Sequence, residues 1–337
     1  MAHSVLSSSE QEKRLMTSLG VIFHPSFPPE ILVDYAQRAE KAGFDELWLW
    51  EDSFWAGAYT SAATVLARTE SIRVGIGLSP ATVRNPLFYA MDITTLAVLY
   101  PGRFMPGFGH GVEGWMRQIG AAPKSSMKAL GETVEAIRRL LQGENVTMHG
   151  DYVHLDEVKM LVTPKVVPPL YVGAMREKTL QLAGRVGDGT ILTAMSSPAY
   201  VRWAKAQVEV GAQDGGLPEN RIAVFVEARV NPDGASARKI ARRWVAKQFH
   251  WTQALLTPLG IVDEAQSLVD QYGTEGAAEW MPESWLDELT VSGTPEQSAA
   301  AVARLAEAGA DTVILQPQEN NPGCLDDYIR YLMPILK

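Results

Sequence analysis

Short apolar runs without alternation recur along the chain, each followed by a stretch in which apolar residues return every three or four positions. The runs Leu19–Phe23, Glu46–Trp50, Ile72–Leu78, Arg103–Phe108, Leu170–Gly173, Gly189–Leu192, Ile222–Val230 and Thr312–Gln316 read as eight strands covered on both faces. Between them, Leu32, Tyr35, Ala36 and Ala39 share one helical face, and Leu130, Val134, Ile137 and Leu141 share another. Thr294-Pro295-Glu296-Gln297 is a helix start, with a capping Thr, Pro in the first turn and Gln three residues after the cap.

One junction repeats. Ala42-Gly43-Phe44-Asp45, Val186-Gly187-Asp188-Gly189 and Ala308-Gly309-Ala310-Asp311 each place a helix-ending glycine and an Asp before a buried strand. Eight strands joined by such units predict an α/β fold, a (β/α)8 TIM barrel rather than a doubly wound sheet. Residues 17–337 are expected to form this single domain, behind a loosely ordered N-terminal arm over residues 1–16. Two segments exceed a minimal barrel. Val146–Val162 has the pattern of an extended hairpin. Residues 232–292 read as a helical insert between strands seven and eight, with Trp244, Trp251, Trp280 and Trp285, either roofing an apolar substrate or packing on the barrel's side.

Composition narrows the chemistry. The 337 residues are 46% hydrophobic and 20% charged, which suits a chain with a sizeable core. A net charge of −9 argues against nucleic acid or an anionic membrane as partner, and no apolar run reaches membrane-spanning length. The single cysteine, Cys324, allows no internal disulfide and fits a reducing cytoplasm. The six histidines form no HxH or HExxH pair, so no metal is expected, and a GxSxG nucleophile elbow is absent.

Barrel enzymes carry their chemistry at the carboxyl ends of strands. His24 stands there after strand one. Asp52, Ser53 and Trp55 follow strand two, Ser79 follows strand three, and His110 and Glu113 follow strand four within FGHGVEGW. The glycines beside His110 let a ligand approach the backbone. On strand seven Glu227 and Arg229 share a face, and two readings stay open: substrate binding, or an ion pair with each other. After strand five, Gly173, Ala174, Met175, Arg176, Glu177 and Lys178 turn into a helix whose unpaired N–H groups and nearby cations would seat a phosphate.

These segments together resemble the bacterial luciferase-like monooxygenase superfamily. The resemblance is carried by AEKAGFDELWLWEDSF, RVGIGLSPATVRNPLFYA, GRFMPGFGHG, ALGETVEAIRRLLQGENVTMHGDYVHL, PPLYVGAMREKTLQLAGRVGDGTIL and SGTPEQSAAAVARLAEAGADTVIL, over about residues 17–320. The likeness is greatest to the branch dependent on coenzyme F420, a deazaflavin; that branch includes methylenetetrahydromethanopterin reductase and a sugar-phosphate dehydrogenase. It implies a barrel, usually a homodimer, with cofactor at the carboxyl mouth. It further implies that Asp52 contacts the ring edge, that Gly77-Leu78 is a non-prolyl cis peptide behind the ring with Ser79 held extended by Pro80, and that Gly173 to Lys178 hold the phosphate. Two positions depart from the sugar-phosphate members. Ser53 replaces their His, and Val112 replaces their Glu, which here falls one place later at Glu113. Their acid–base pair is therefore not carried over.

The function expected is hydride transfer between reduced coenzyme F420 and a small apolar or aromatic organic substrate. Ser53, His110 and Glu113 are the catalytic candidates, His110 or Glu113 as proton donor. His24, Trp55, Glu227 and Arg229 are the candidates for the substrate. The alternatives are a monooxygenase using flavin mononucleotide (FMN) and O₂, and a barrel that binds a flavin without turnover.

Overall fold

The computed structural model describes residues 17–217 and 220–337, so the expected N-terminal arm lies outside the described residues. In chain order the strands are β1 (Ser18–Phe23), β2 (Glu46–Leu49), β3 (Arg73–Ile76), β4 (Ser79–Pro80), β5 (Phe104–Met105), β6 (Gly107–Gly109), β7 (Val146–His149), β8 (His154–Val158), β9 (Tyr171–Gly173), β10 (Gly189–Leu192), β11 (Arg221–Val230), β12 (Val291–Gly293) and β13 (Thr312–Gln316). The chain divides into two compact units: a first of residues 23–191 and 207–221, and a second of residues 17–22, 192–206 and 222–337. No helix among the described residues is long and apolar enough to cross a membrane.

The first unit holds two parallel ladders. One pairs β2 with β3 and β3 with β5; the other runs β4–β6–β9–β10. The chain crosses between them twice. It does so at Gly77-Leu78, between β3 and β4, and at Pro106, between β5 and β6. Two runs that read as single strands, Ile72–Leu78 and Arg103–Phe108, are therefore each broken. Pro106 has no N–H to give to a ladder, which accounts for the second break. The expected hairpin is present as the antiparallel pair β7–β8. Its tip is pinned by the Glu132 carboxylate, which accepts from the N–H groups of Asp151, Tyr152 and Val153.

The repeated junction has two forms. Gly43 ends the Leu32–Ala42 helix in the left-handed region at φ 86°, as Gly309 does at φ 108° after its own helix. Gly187 is extended instead (φ −107°, ψ 154°). The Asp that follows does the tying. Asp188 receives two hydrogen bonds from Arg138 (3.1 and 2.9 Å) and one from the Leu170 N–H (2.8 Å). In the second unit Asp311 accepts from the Ile222 N–H at 2.7 Å.

The second unit is a parallel ladder in the order β12–β11–β13–β1. β12, three residues long, was not legible as an apolar run. Between β11 and β12 lie helices Gly234–Gln248, Gln253–Leu256, Val262–Trp280 and Glu283–Leu289. Arg238 ties Glu283 (2.5 Å) and Asp287 (2.7 Å), and Arg242 also binds Glu283, so the first and last of these helices are cross-linked by charge. Of the four tryptophans there, Trp285 is core, packed edge-on against Phe249, whereas Trp251 and Trp280 are exposed. The expected capping box forms at Thr294, whose hydroxyl and N–H are both bonded to Gln297.

Candidate functional site

The strand exits of the first unit gather most of the expected residues. At the step between ladders the Gly77-Leu78 peptide is cis, as the family resemblance implies. The Leu78 side chain lies across the neighbouring strands. A Cβ on Gly173 would stand 2.1 Å from Leu78 Cδ1, and one on Gly109 2.6 Å. Glycine at both positions is what admits Leu78 to this seat. Ser79, next along, is fully buried.

Asp52 lies three residues beyond the end of β2 and is half-buried. Burial alone, with no compensating cation, pushes its pKa up to about 6. The following helix, Ala58–Arg68, takes Gly57 as its N-cap, so Asp52 is not used as a cap. Ser53 is half-buried beside it. His110 follows β6 directly. Its Nε2 is buried with no hydrogen-bond partner, and burial pulls its pKa down, favouring the neutral imidazole. Buried polar atoms ordinarily find partners, so among the described residues the His110 ring nitrogen is open to a group from a ligand, and the half-buried Asp52 carboxyl beside no cation is open to another. The residues present thus fit a polar ring system in this place.

The turn after β9 leads directly into a helix start. Gly173 closes the strand, and Ala174 donates its N–H to Ile191 O at 3.1 Å. Arg176 is the extended N-cap of the ten-residue helix Glu177–Val186, with no side-chain cap on the first-turn N–H groups. Met175 is half-buried; Arg176, Glu177 and Lys178 are exposed.

His24, just past β1, is half-buried against Trp50, 5.0 Å between ring centroids. Ser26 closes on its Nδ1, with the backbone N–H at 3.2 Å and Oγ at 2.7 Å. Trp55 is exposed. Beside it Phe54, in the left-handed region at φ 77°, packs edge-on to Trp115 at 6.1 Å.

One expected residue of the first unit turns outward, and two in the second unit pair with each other. Glu113 opens the helix Glu113–Gln118 with its side chain 76% exposed, turned along the helix to Arg117 four residues on at 2.5 Å. Proximity to the GHG run in sequence does not aim it inward. Glu227 and Arg229 lie in the second unit as a buried ion pair. Arg229 also donates to Ala228 O at 2.5 Å and Gln316 O at 3.3 Å, and complete burial pushes Glu227 up to about 8 against the pull of Arg229. Of the two readings left open for them, the pair is the one present.

One residue was missed. Glu51, half-buried, accepts a hydrogen bond from Ser79 Oγ at 3.3 Å, and burial raises its pKa against the field of Arg84. The sequence carried only its position after a strand; its partner is 28 residues away. The first unit has a cleft of about 860 Å³ beside Arg84 and Lys124, and the second unit one of about 1060 Å³ over the Arg238–Glu283 network.

Against this geometry, the profile of luciferase-like monooxygenases matches residues 1–312. An F420-dependent hydroxymycolic acid dehydrogenase of Mycobacterium tuberculosis is 30% identical over 335 residues, covering 94% of this chain and 87% of that protein. A 5,10-methylenetetrahydromethanopterin reductase of Methanolobus tindarius is 28% identical over 306 residues, covering 88% and 93%. The structure of the coenzyme F420-dependent tetrahydromethanopterin reductase of Methanopyrus kandleri superposes with a TM-score of 0.81 at 21% identity, covering 95% of this chain and 99% of that one, which is a likeness of fold.

Proposed function

Because the chain belongs to the luciferase-like monooxygenase family, we propose that it is a coenzyme F420-dependent oxidoreductase that passes a hydride between the reduced deazaflavin and a small apolar or aromatic organic substrate. The observation that carries this reading is the placing of Asp52, with no cation beside it, and the unpartnered His110 Nε2 at the strand exits around the Leu78 turn, in a chain with a dehydrogenase relative named F420-dependent and the fold of a reductase named coenzyme F420-dependent.

In this reading Gly77, Leu78, Ser79, Asp52 and His110 would hold the ring. Gly173, Ala174, Met175, Arg176, Glu177 and Lys178 hold the phosphate. When bound, the deazaflavin supplies a hydride carrier. The protein orients the partners, and its groups manage the proton. His110, kept neutral by burial, offers a directed hydrogen bond through Nε2. Burial raises the Asp52 pKa to about 6, so this carboxyl takes up a proton more readily than an exposed one. Glu113 takes no part, since its carboxylate is spent on Arg117 at the surface. Phe54, Trp55 and Trp115 supply an aromatic lip for the substrate, with His24 and Ser53 as polar contacts. Glu227 and Arg229 serve as an internal tie.

We read the fold as a (β/α)8 barrel, with residues 17–337 as one domain and 232–292 as a helical insert; the eight apolar strand runs and the fold likeness support this. A homodimer is part of the same reading. The helix Pro86–Leu99 is mostly apolar and leaves Phe88, Met91, Val98 and Leu99 exposed, side chains suited to a second copy of the chain. The single cysteine, Cys324, suits a cytoplasmic setting.

Titration with F420 and with FMN tests the function. Quenching of F420 fluorescence at micromolar protein, and oxidation of reduced F420 by an electron-poor apolar acceptor, are expected. Retention of FMN with O₂-dependent turnover would instead establish a monooxygenase, and binding without turnover across both assays would establish a flavin-binding protein.

A further inference from the structure

Glu51 has no use in the scheme above, yet its surroundings are built. It follows Trp50 at the exit of β2, and its Oε2 accepts from Ser79 Oγ at 3.3 Å. Ser79 is fully buried, and its Oγ lies 3.4 Å from the hydroxyl of Tyr59, which is itself buried. Its neighbour Pro80 is held from the other side, where the Tyr89 hydroxyl donates to Pro80 O at 2.8 Å. Arg84 lies over the rings of both tyrosines, at 5.3 and 5.7 Å from their centroids, and pairs with Asp92 at 2.5 Å. Arg84 therefore reaches Glu51 through its field, while its hydrogen bond goes to Asp92. Glu51 is left with a hydroxyl as its hydrogen-bond donor.

A half-buried carboxylate bound to one hydroxyl is a poor device for stability, since withdrawing the charge from water costs more than one such bond returns. Its position gives it another use. Ser79 is the first residue after Leu78, so whatever fixes Ser79 fixes the end of the turn that carries the Leu78 side chain over Gly109 and Gly173. Glu51 thus reaches from the segment after β2 to Ser79, the residue that opens β4 directly after Leu78.

We infer that Glu51 is a positioning residue: its carboxylate anchors Ser79 and so sets the Leu78 turn that forms the cofactor seat. This rests on the reading of that seat as the deazaflavin site. The test is a double-mutant cycle of Glu51→Ala and Ser79→Ala with Glu51→Gln as the conservative variant, read in two ways. The first is the urea unfolding midpoint of the cofactor-free protein; the second is the F420 dissociation constant from fluorescence quenching. Loss of a hydrogen bond to a charged group is expected to weaken F420 binding about tenfold in each Ala variant. The double variant should be no weaker than either single, and Glu51→Gln, which keeps an acceptor for the hydroxyl, should bind within about twofold of the parent. Unchanged affinity in Glu51→Ala, or effects that multiply in the double variant, would overturn the inference. If the parent protein bound no F420, the functional reading would fall. The unfolding cycle would still decide whether Glu51 holds Ser79, with strict additivity counting against it.

Discussion

The two ends of β2 treat carboxylates in opposite ways. At the entry end Glu46 is completely buried and fully compensated: Arg73 lies 2.8 Å from its Oε1, and the Trp48 indole N–H donates to its Oε2 at 2.8 Å. At the exit end, six residues on, Asp52 is half-buried with no cation, and burial alone lifts its pKa to about 6. A buried charge with partners holds a strand in register. A buried charge without them raises the free energy of the folded state, and persists where a ligand or a reaction uses it. The entry end is scaffold, and the segment three residues past the exit end is the candidate site.

Substitutions that break the comparison should differ in sign as well as size. Arg73→Ala strips Glu46 of its cation and is expected to destabilise the protein by about 3 kcal/mol in urea unfolding; a loss under about 1 kcal/mol would show that the entry end is not held by this pair. Gly173→Ala drives a Cβ into Leu78 and is expected to cost about 1–3 kcal/mol, while weakening F420 binding more than it lowers the unfolding midpoint. Asp52→Asn should act the other way. The folded pKa of Asp52 is raised above the unfolded value, so the native state binds the extra proton. Stability is then highest at low pH and falls as pH rises through about 4 to 6. Removing that carboxylate should leave stability unchanged near pH 3.5 and raise it by about 1–2 kcal/mol at pH 8, after discounting for its partial exposure. Equal destabilisation at both pH values would place Asp52 with Glu46 as a structural group. Glu113→Gln, at the surface, should move neither stability, by more than about 0.5 kcal/mol, nor turnover, by more than about twofold.

The parts of the fold governed by local pattern were legible. β10 and β13 occupy the predicted bounds, Thr294 forms its capping box, and the faces of the Leu32–Ala42 and Ser126–Leu141 helices are buried as their spacing required. What escaped depends on register and on side-chain direction. An apolar run such as Ile72–Leu78 gives no sign that pairing changes partners midway, because both ladders demand the same residue types. β12 has three residues, too few for a periodic signal. In the site, Asp52, Ser79, His110 and the turn from Gly173 to Lys178 were visible as positions after strands. That a helix begins at Glu113 and its side chain turns out to Arg117 was not visible from its place after the GHG run. Glu51 was passed over because only folding brings it to Ser79, 28 residues away. Glu227 and Arg229 were seen as a pair on one strand face, but a sequence does not tell a closed pair from an open one.

The most direct test of the exit-end assignment is the pH dependence of F420 affinity, measured by fluorescence quenching from pH 4.5 to 8 in the parent protein and in Asp52→Asn. The account predicts an inflection near pH 6 in the parent that is absent from the variant. Superimposable curves for the two proteins, or an inflection that survives the substitution, would contradict it.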